Sequence, residues 1–186
     1  MALWLWIIGG LVLLVFLWAA ASYNGLVGLR NQTQNAWSQI DVQLKRRHDL
    51  IPNLVESVKG YAGHEKSTLE GVIKARNQAA SASGVLAQAR AEGELSAALG
   101  RLMAVVEQYP DLKANQNFLR LQEELTSTEN KVSFSRQFYN DSVMEYNTRL
   151  QSVPSNIIAD LFRFQKAEFF GMDAAEDRAV PKVSFS

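Results

Sequence analysis

The sequence predicts an all-α protein in which an N-terminal transmembrane helix continues into an antiparallel, up-and-down four-helix bundle. Three observations carry that prediction. Residues 2–21, ALWLWIIGGLVLLVFLWAAA, hold no charged side chain. Apolar residues recur seven apart along two long later stretches, the period of packed helices. No alternating strand pattern of any length appears before the extreme C-terminus.

The uncharged run comes first. At ~1.5 Å rise per residue it reaches roughly the ~30 Å of a bilayer core. A cleaved signal peptide is the rival, since Ala19, Ala20 and Ala21 resemble a cleavage site. The run is long for that role and has no basic stretch before it, so a retained anchor is expected. Trp4, Trp6 and Trp18 lie near its ends, where amphipathic rings favour the headgroup level. Ala21 and Gly25, small residues one turn apart, offer a face on which anchors can pack. Arg30 follows the run and no Lys or Arg precedes it. The positive-inside rule then puts the N-terminus outside and the bundle in the cytoplasm.

No linker separates the anchor from the first bundle helix. Trp37, Leu44, Ile51 and Val58 form one apolar row, and Ile40, Leu54 and Tyr61 the other, with Gly63 as a stop. A second helix runs from about His64 to Ala82 over Leu69, Val72 and Ile73, until residues 81–84, SASG, break the pattern. The third gathers from Glu94 with Leu95, Leu99, Leu102 and Val106, and Pro110 ends it. Asp111 is placed to cap the fourth, which carries Phe118, Leu125, Val132, Tyr139, Tyr146 and Val153, with the smaller Leu121, Thr128, Ser135 and Ser142 beside them. Pro154 closes it. The two middle helices are short, so they fold as a hairpin to give four helices or stack end to end to give three long ones; the hairpin is the expected form. The chain divides into an anchor, 1–22, a bundle, 23–153, and a C-terminal short helix with an extended tail, 154–186. In that last part Ile157, Ile158, Leu161 and Phe162 form an apolar segment, and VPKVSFS at the end alternates weakly like an arm.

Composition excludes several classes of function. The 186 residues carry a formal net charge of zero, which argues against a phosphate-tracking nucleic-acid binder. The absence of cysteine removes disulfides, thiolate zinc sites and cysteine nucleophiles together. His48 and His64 belong to no HExxH motif, no Glu-x-x-His pair for a di-iron bundle occurs, and there is no phosphate-binding glycine loop or nucleophile elbow. No catalytic residue, cofactor or metal is expected.

One stretch, QLKRRHDLIPNLV at residues 43–55, stands apart. The field of anionic lipid decays within ~8–10 Å, whereas Lys45 stands roughly 36 Å beyond the anchor on an upright helix, so the basic run does not read lipid. Helical phase turns Lys45 and Arg46 to solvent. Arg47 falls in the core row, seven after Ile40 and seven before Leu54, with His48 at its flank, and a buried guanidinium needs a partner. Glu129, Asn130, Asn140, Asp141, Glu145 and Asn147 are the candidates on the fourth helix. A polar network centred on Arg47 is expected, comprising His48, Glu129, Asn130, Asn140 and Asn147. Its role is to fix helix register, or alternatively to bind a small anionic ligand or peptide. Pro52 cannot donate to the carbonyl of His48, so a kink is expected there.

The stretches YNGLVGLRNQTQNAWSQIDVQLKRRHDLIPNLVESVKGYAGHEKSTLE, YPDLKANQNFLRLQEELTSTENKV, YNDSVMEYN and VPKVSF resemble the LemA family of bacterial membrane proteins over almost the whole chain. The resemblance implies one N-terminal transmembrane helix in the bacterial inner membrane, a bundle of bromodomain-like four-helix topology, and no established catalytic activity. It also points to membrane organisation, from a magnetosome-associated branch, or to envelope quality control. The function expected is a membrane-anchored, non-enzymatic scaffold whose partners are the lipid bilayer, further copies of itself and other membrane proteins, with no nucleic acid.

Overall fold

The structure, a computed structural model, describes residues 2–62 and 64–171. Six helices follow one another: α1 (Ala2–Lys59), α2 (Lys66–Ser81), α3 (Val85–Val106), α4 (Pro110–Lys113), α5 (Gln116–Gln151) and α6 (Ser155–Leu161). No strand occurs among the described residues. The expected helical stop at Gly63 and the expected arm at residues 180–186 lie outside them. The described residues form two compact units, one from the residues up to Gln39 with Gln137–Ala167, the other from Ile40–Arg136 with the residues from Glu168 on. α1 and α5 supply residues to both.

α1 is a single α-helix that carries the uncharged run and Pro52 alike. It is long and apolar enough to cross a membrane, its most apolar stretch having a mean hydropathy of 2.4 with no residue buried. In the second unit α1, α2, α3 and α5 share one core that includes Ile51, Leu54, Val72, Leu102 and Phe118. The heptad rows lie inward while the helices last: Ile40, Leu44, Ile51, Leu54 and Val58 on α1, and Phe118, Leu125, Val132, Tyr139 and Tyr146 on α5, are all buried.

The rows fail at their ends. Tyr61 and Val153 were expected in the core, yet Tyr61 is 45% and Val153 81% exposed. α1 stops at Lys59 and α5 at Gln151, and a seven-residue spacing has no meaning beyond the helix that generates it. Tyr61 instead accepts a hydrogen bond through its hydroxyl from Asn115 Nδ2, at 3.1 Å.

α2 and α3 pack on each other across a three-residue connection, so they form a hairpin and not an end-to-end stack. Gly84 makes the turn with φ +88°, a conformation that a side chain would strain. α3 begins at Val85, well before the Glu94 expected, and its buried face includes Glu92. Asp111 does not cap the long helix. It lies within α4, and Asn115 is the cap, its Oδ1 accepting from the amides of Asn117 at 2.9 Å and Phe118 at 3.2 Å.

The first unit is built around Leu26, Tyr146, Leu150, Ile158 and Ala159, with Ala19, Leu29, Phe164 and Ala167 against them. Ser22 is buried, Thr33 Oγ1 donates to the Leu29 carbonyl at 3.0 Å, and Trp37 meets Tyr139 edge to face at 5.5 Å. The segment after α6 is tied to α5. Tyr146 donates its hydroxyl proton to the Gln165 carbonyl at 3.0 Å, and Asn147 both donates to and accepts from the backbone of Ala167 at 2.9 Å.

Candidate functional site

Arg47 lies on the buried side of α1 in the second unit, 5% exposed. Its Nη1 donates to Glu92 Oε2 at 3.0 Å. Its Nη2 donates to Ser96 Oγ at 2.8 Å and also stands 2.8 Å from Glu129 Oε2. The other Glu92 oxygen, Oε1, accepts from Gln88 Nε2 at 3.0 Å and lies 2.7 Å from His48 Nε2. A carboxylate only accepts, so Nε2 is the protonated ring nitrogen. One carboxylate on α3 thus ties two adjacent residues of α1, and the guanidinium reaches on to α5.

The two carboxylates facing Arg47 differ. The Glu92 side chain is 6% exposed, whereas that of Glu129 is 51% exposed. Desolvation strengthens the first pair and makes it costly to break; water screens the second.

Pro52 remains within α1, and the His48 carbonyl it leaves without an intrahelical donor has a replacement. Arg76 Nε, on α2, donates to it at 3.1 Å. The proline therefore creates an acceptor on α1 through which α2 is bonded.

Two concavities flank the cluster. One, of about 320 Å³, is lined by Arg47, Ser96, Glu129 and Asn130 among others. The second, of about 290 Å³, opens beside His48 with Asp41, Lys45, Asp49 and Arg76 on its walls. Lys45 and Arg46 are exposed, Arg46 standing 3.8 Å from the exposed Glu124.

The structure thus brings Arg47, His48 and Glu129 together and sets Asn130 on the same pocket as Arg47. It does not bring in the other two asparagines. Asn140, half-buried, and Asn147, buried, belong to the first unit, where Asn147 holds Ala167. Asp141 and Glu145 are exposed. Glu92, the residue at the centre of the cluster, was not among the expected partners. Its signal was present: it stands three before Leu95 and so extends the row Leu95, Leu99, Leu102 and Val106 back by one turn. A carboxylate in an apolar row is the natural counterpart of an arginine in another.

In the uncharged run of α1, Trp4 and Trp6 are 69% and 81% exposed and Trp18 is 37% exposed. Ala21 and Gly25 are exposed too, and a Cβ placed on Gly25 meets nothing within 4 Å. Among the described residues no group of three or more His, Asp or Glu is placed to hold a metal ion.

The family model of the LemA family matches residues 36–185. This chain belongs to the LemA family. The matched region takes in Arg47, His48, Glu92 and Glu129 but starts after the uncharged run of residues 2–21. Among relatives, Magnetosome protein MamQ 2 of Paramagnetospirillum magneticum is 28% identical, the match covering 85% of this chain and 68% of that protein. MamQ of Magnetospirillum gryphiswaldense is 26% identical over the same shares. Protein LemA of Metamycoplasma hominis is 27% identical, covering 81% of this chain and 72% of its own. In this LemA-family chain Glu92 is bonded to Arg47, His48 and Gln88, all residues of the second unit.

Proposed function

We propose that the chain is a single-pass, membrane-anchored, non-enzymatic scaffold that self-associates or docks other membrane proteins, with a role in membrane organisation or envelope quality control. The observation that carries this reading is the continuity of α1, in which an uncharged bilayer-length run and the core-forming face of the bundle are one helix. The name of the MamQ relatives, magnetosome proteins, supports membrane organisation. The proposed seat is the bacterial inner membrane, N-terminus outside and bundle in the cytoplasm, in accord with Arg30 just after the run. The open face at Ala21 and Gly25 supports packing between anchors. Cross-linking in native membranes, followed by mass measurement of the solubilised complex, tests the reading. The expected result is a species larger than the monomer; a strict monomer at all concentrations, with no cross-linked partner, refutes it.

A second reading rests on Glu129. It is the half-exposed partner of a buried arginine beside a pocket of about 320 Å³, so a ligand carboxylate can take its place on the Arg47 guanidinium. Thermal-shift measurements with small carboxylates and acidic peptides separate the two readings. Stabilisation in the wild type that is lost in Arg47→Ala favours a sensor, and no shift in either favours the scaffold.

A further inference from the structure

α6 has two unlike faces. Ser155, Ile158 and Ala159 are buried against the first unit, whereas Ile157 is 60% and Leu161 71% exposed, one turn apart. Val153 before the helix and Phe162 after it extend the exposed apolar surface at 81% and 54%. Four bulky apolar side chains on so short a segment make a patch that water disfavours.

The stretch of α1 against which α6 packs says what covers the patch. The cluster that holds Ile158 and Ala159 includes Ala19 and Leu26 of α1, and Ala19 lies inside the uncharged run of residues 2–21. Tyr23, two residues past the end of the run, meets Phe162 at 4.7 Å and Phe164 at 5.7 Å between ring centroids. α6 is therefore fastened to the last turn of the apolar segment and the first turn after it, the level at which a spanning helix crosses from acyl chains to headgroups.

Charge agrees with that level. Arg163 and Lys166 are exposed just beyond the patch, Arg30 stacks over Phe164 at 5.5 Å, and Asp160 is the one acidic side chain of α6. Arg163 has φ +56° at the end of α6, where its amide bonds the Asp160 carbonyl at 3.2 Å and the amide of Phe164 bonds that of Ala159 at 2.9 Å. Glycine takes this helix-ending conformation without strain. Arg163 is exposed and directly follows Phe162 of the apolar patch, and a guanidinium is suited to phosphate headgroups.

Resting on the reading of residues 2–21 as a membrane span, we infer that α6 is a second membrane contact. The exposed Ile157 and Leu161 of α6, with Val153 before it and Phe162 after it, lie in the headgroup and acyl boundary of the leaflet from which α1 emerges, with Arg163 and Lys166 at the phosphates. The protein then holds the bilayer at two points, the span and the α6 foot, which fixes its rotation about the axis of the span.

The chain has no cysteine, so single-cysteine variants each carry one nitroxide. Full-length Ile157→Cys and Leu161→Cys are reconstituted in nanodiscs of phosphatidylethanolamine and phosphatidylglycerol. Leu13→Cys serves as the acyl-chain reference and Gln39→Cys, exposed and roughly 27 Å along α1 past Ala21, as the water reference. Collision rates with oxygen and with a water-soluble nickel chelate are measured. The labels at 157 and 161 are expected to collide more with oxygen and less with nickel than the label at 39, at a depth of ~5–10 Å. If both match Gln39→Cys while Leu13→Cys reports acyl chains, the α6 contact is overturned and the span stands. If Leu13→Cys itself matches Gln39→Cys, the span has failed and the inference falls with it. Labels shielded from both reagents, with dipolar broadening between spins, place a second copy on this face and also overturn the inference.

Discussion

Replacing Glu92 by alanine tests the buried cluster most directly. The substitution removes the carboxylate that accepts from Arg47, His48 and Gln88. Arg47, its side chain 6% exposed, keeps only the Ser96 hydroxyl and the half-exposed Glu129. Stranding one member of a buried pair costs about 3–5 kcal/mol, against a total stability of about 5–15 kcal/mol for an ordinary domain. With a urea dependence of roughly 2 kcal/mol per M, the unfolding midpoint falls by about 2 M. Glu129→Ala, which removes a screened partner, costs about 1 kcal/mol or less. The triple variant Arg47→Met, His48→Leu, Glu92→Leu leaves no buried charge and recovers most of the loss, because apolar groups of similar size replace buried ion pairs at little cost. Urea unfolding of the full-length protein in detergent micelles, followed by circular dichroism, reads all three. The reasoning is refuted if Glu92→Ala is no more destabilising than Glu129→Ala, or if the triple variant is no more stable than Glu92→Ala.

Three further outcomes follow from the same geometry. Arg76→Ala leaves the His48 carbonyl without its donor and costs about 1 kcal/mol; in a Pro52→Ala background the restored amide takes that role and the cost shrinks, which a double-mutant cycle by urea unfolding measures. Burial raises the pKa of the Tyr146 hydroxyl above 10.0, with Arg30 pulling it partly back; the folded state then keeps its proton longer than the unfolded state, so stability is complete below pH 10 and falls as pH rises from there towards the folded value. Tyr146→Phe is expected to abolish that alkaline loss, read as the pH dependence of the unfolding midpoint, while losing about 1 kcal/mol at neutral pH with the bond to Gln165. Asn147→Ala breaks both bonds to Ala167, and limited trypsin digestion is expected to cut faster at Arg163 and Lys166.

Much of the fold is legible because helical periodicity is local. The phase of Ile40, Leu44, Ile51 and Leu54 around α1 follows from their spacing alone, and the same spacing places Arg47 among them, where it is buried. The pattern misleads where it outlasts its helix, as at Tyr61 and Val153. The cap at Asn115 was hidden for a related reason: Pro110 and Asp111 carry the usual signals of a helix start, and the short α4 uses them before α5 begins.

The sequence by itself determined the uncharged span, the all-helical class, the family and the presence of an arginine in a core row. Only the tertiary structure decided which carboxylate neutralises it, that Arg76 answers the carbonyl freed by Pro52, and that Asn147 serves Ala167 and lies in the unit that does not contain Arg47. The physical reason is that periodicity fixes the angle of a residue about its own helix axis, whereas pairing also needs its height against a neighbouring helix. Loops and helix ends set that height, and across the 45 residues between Arg47 and Glu92 no local rule carries it.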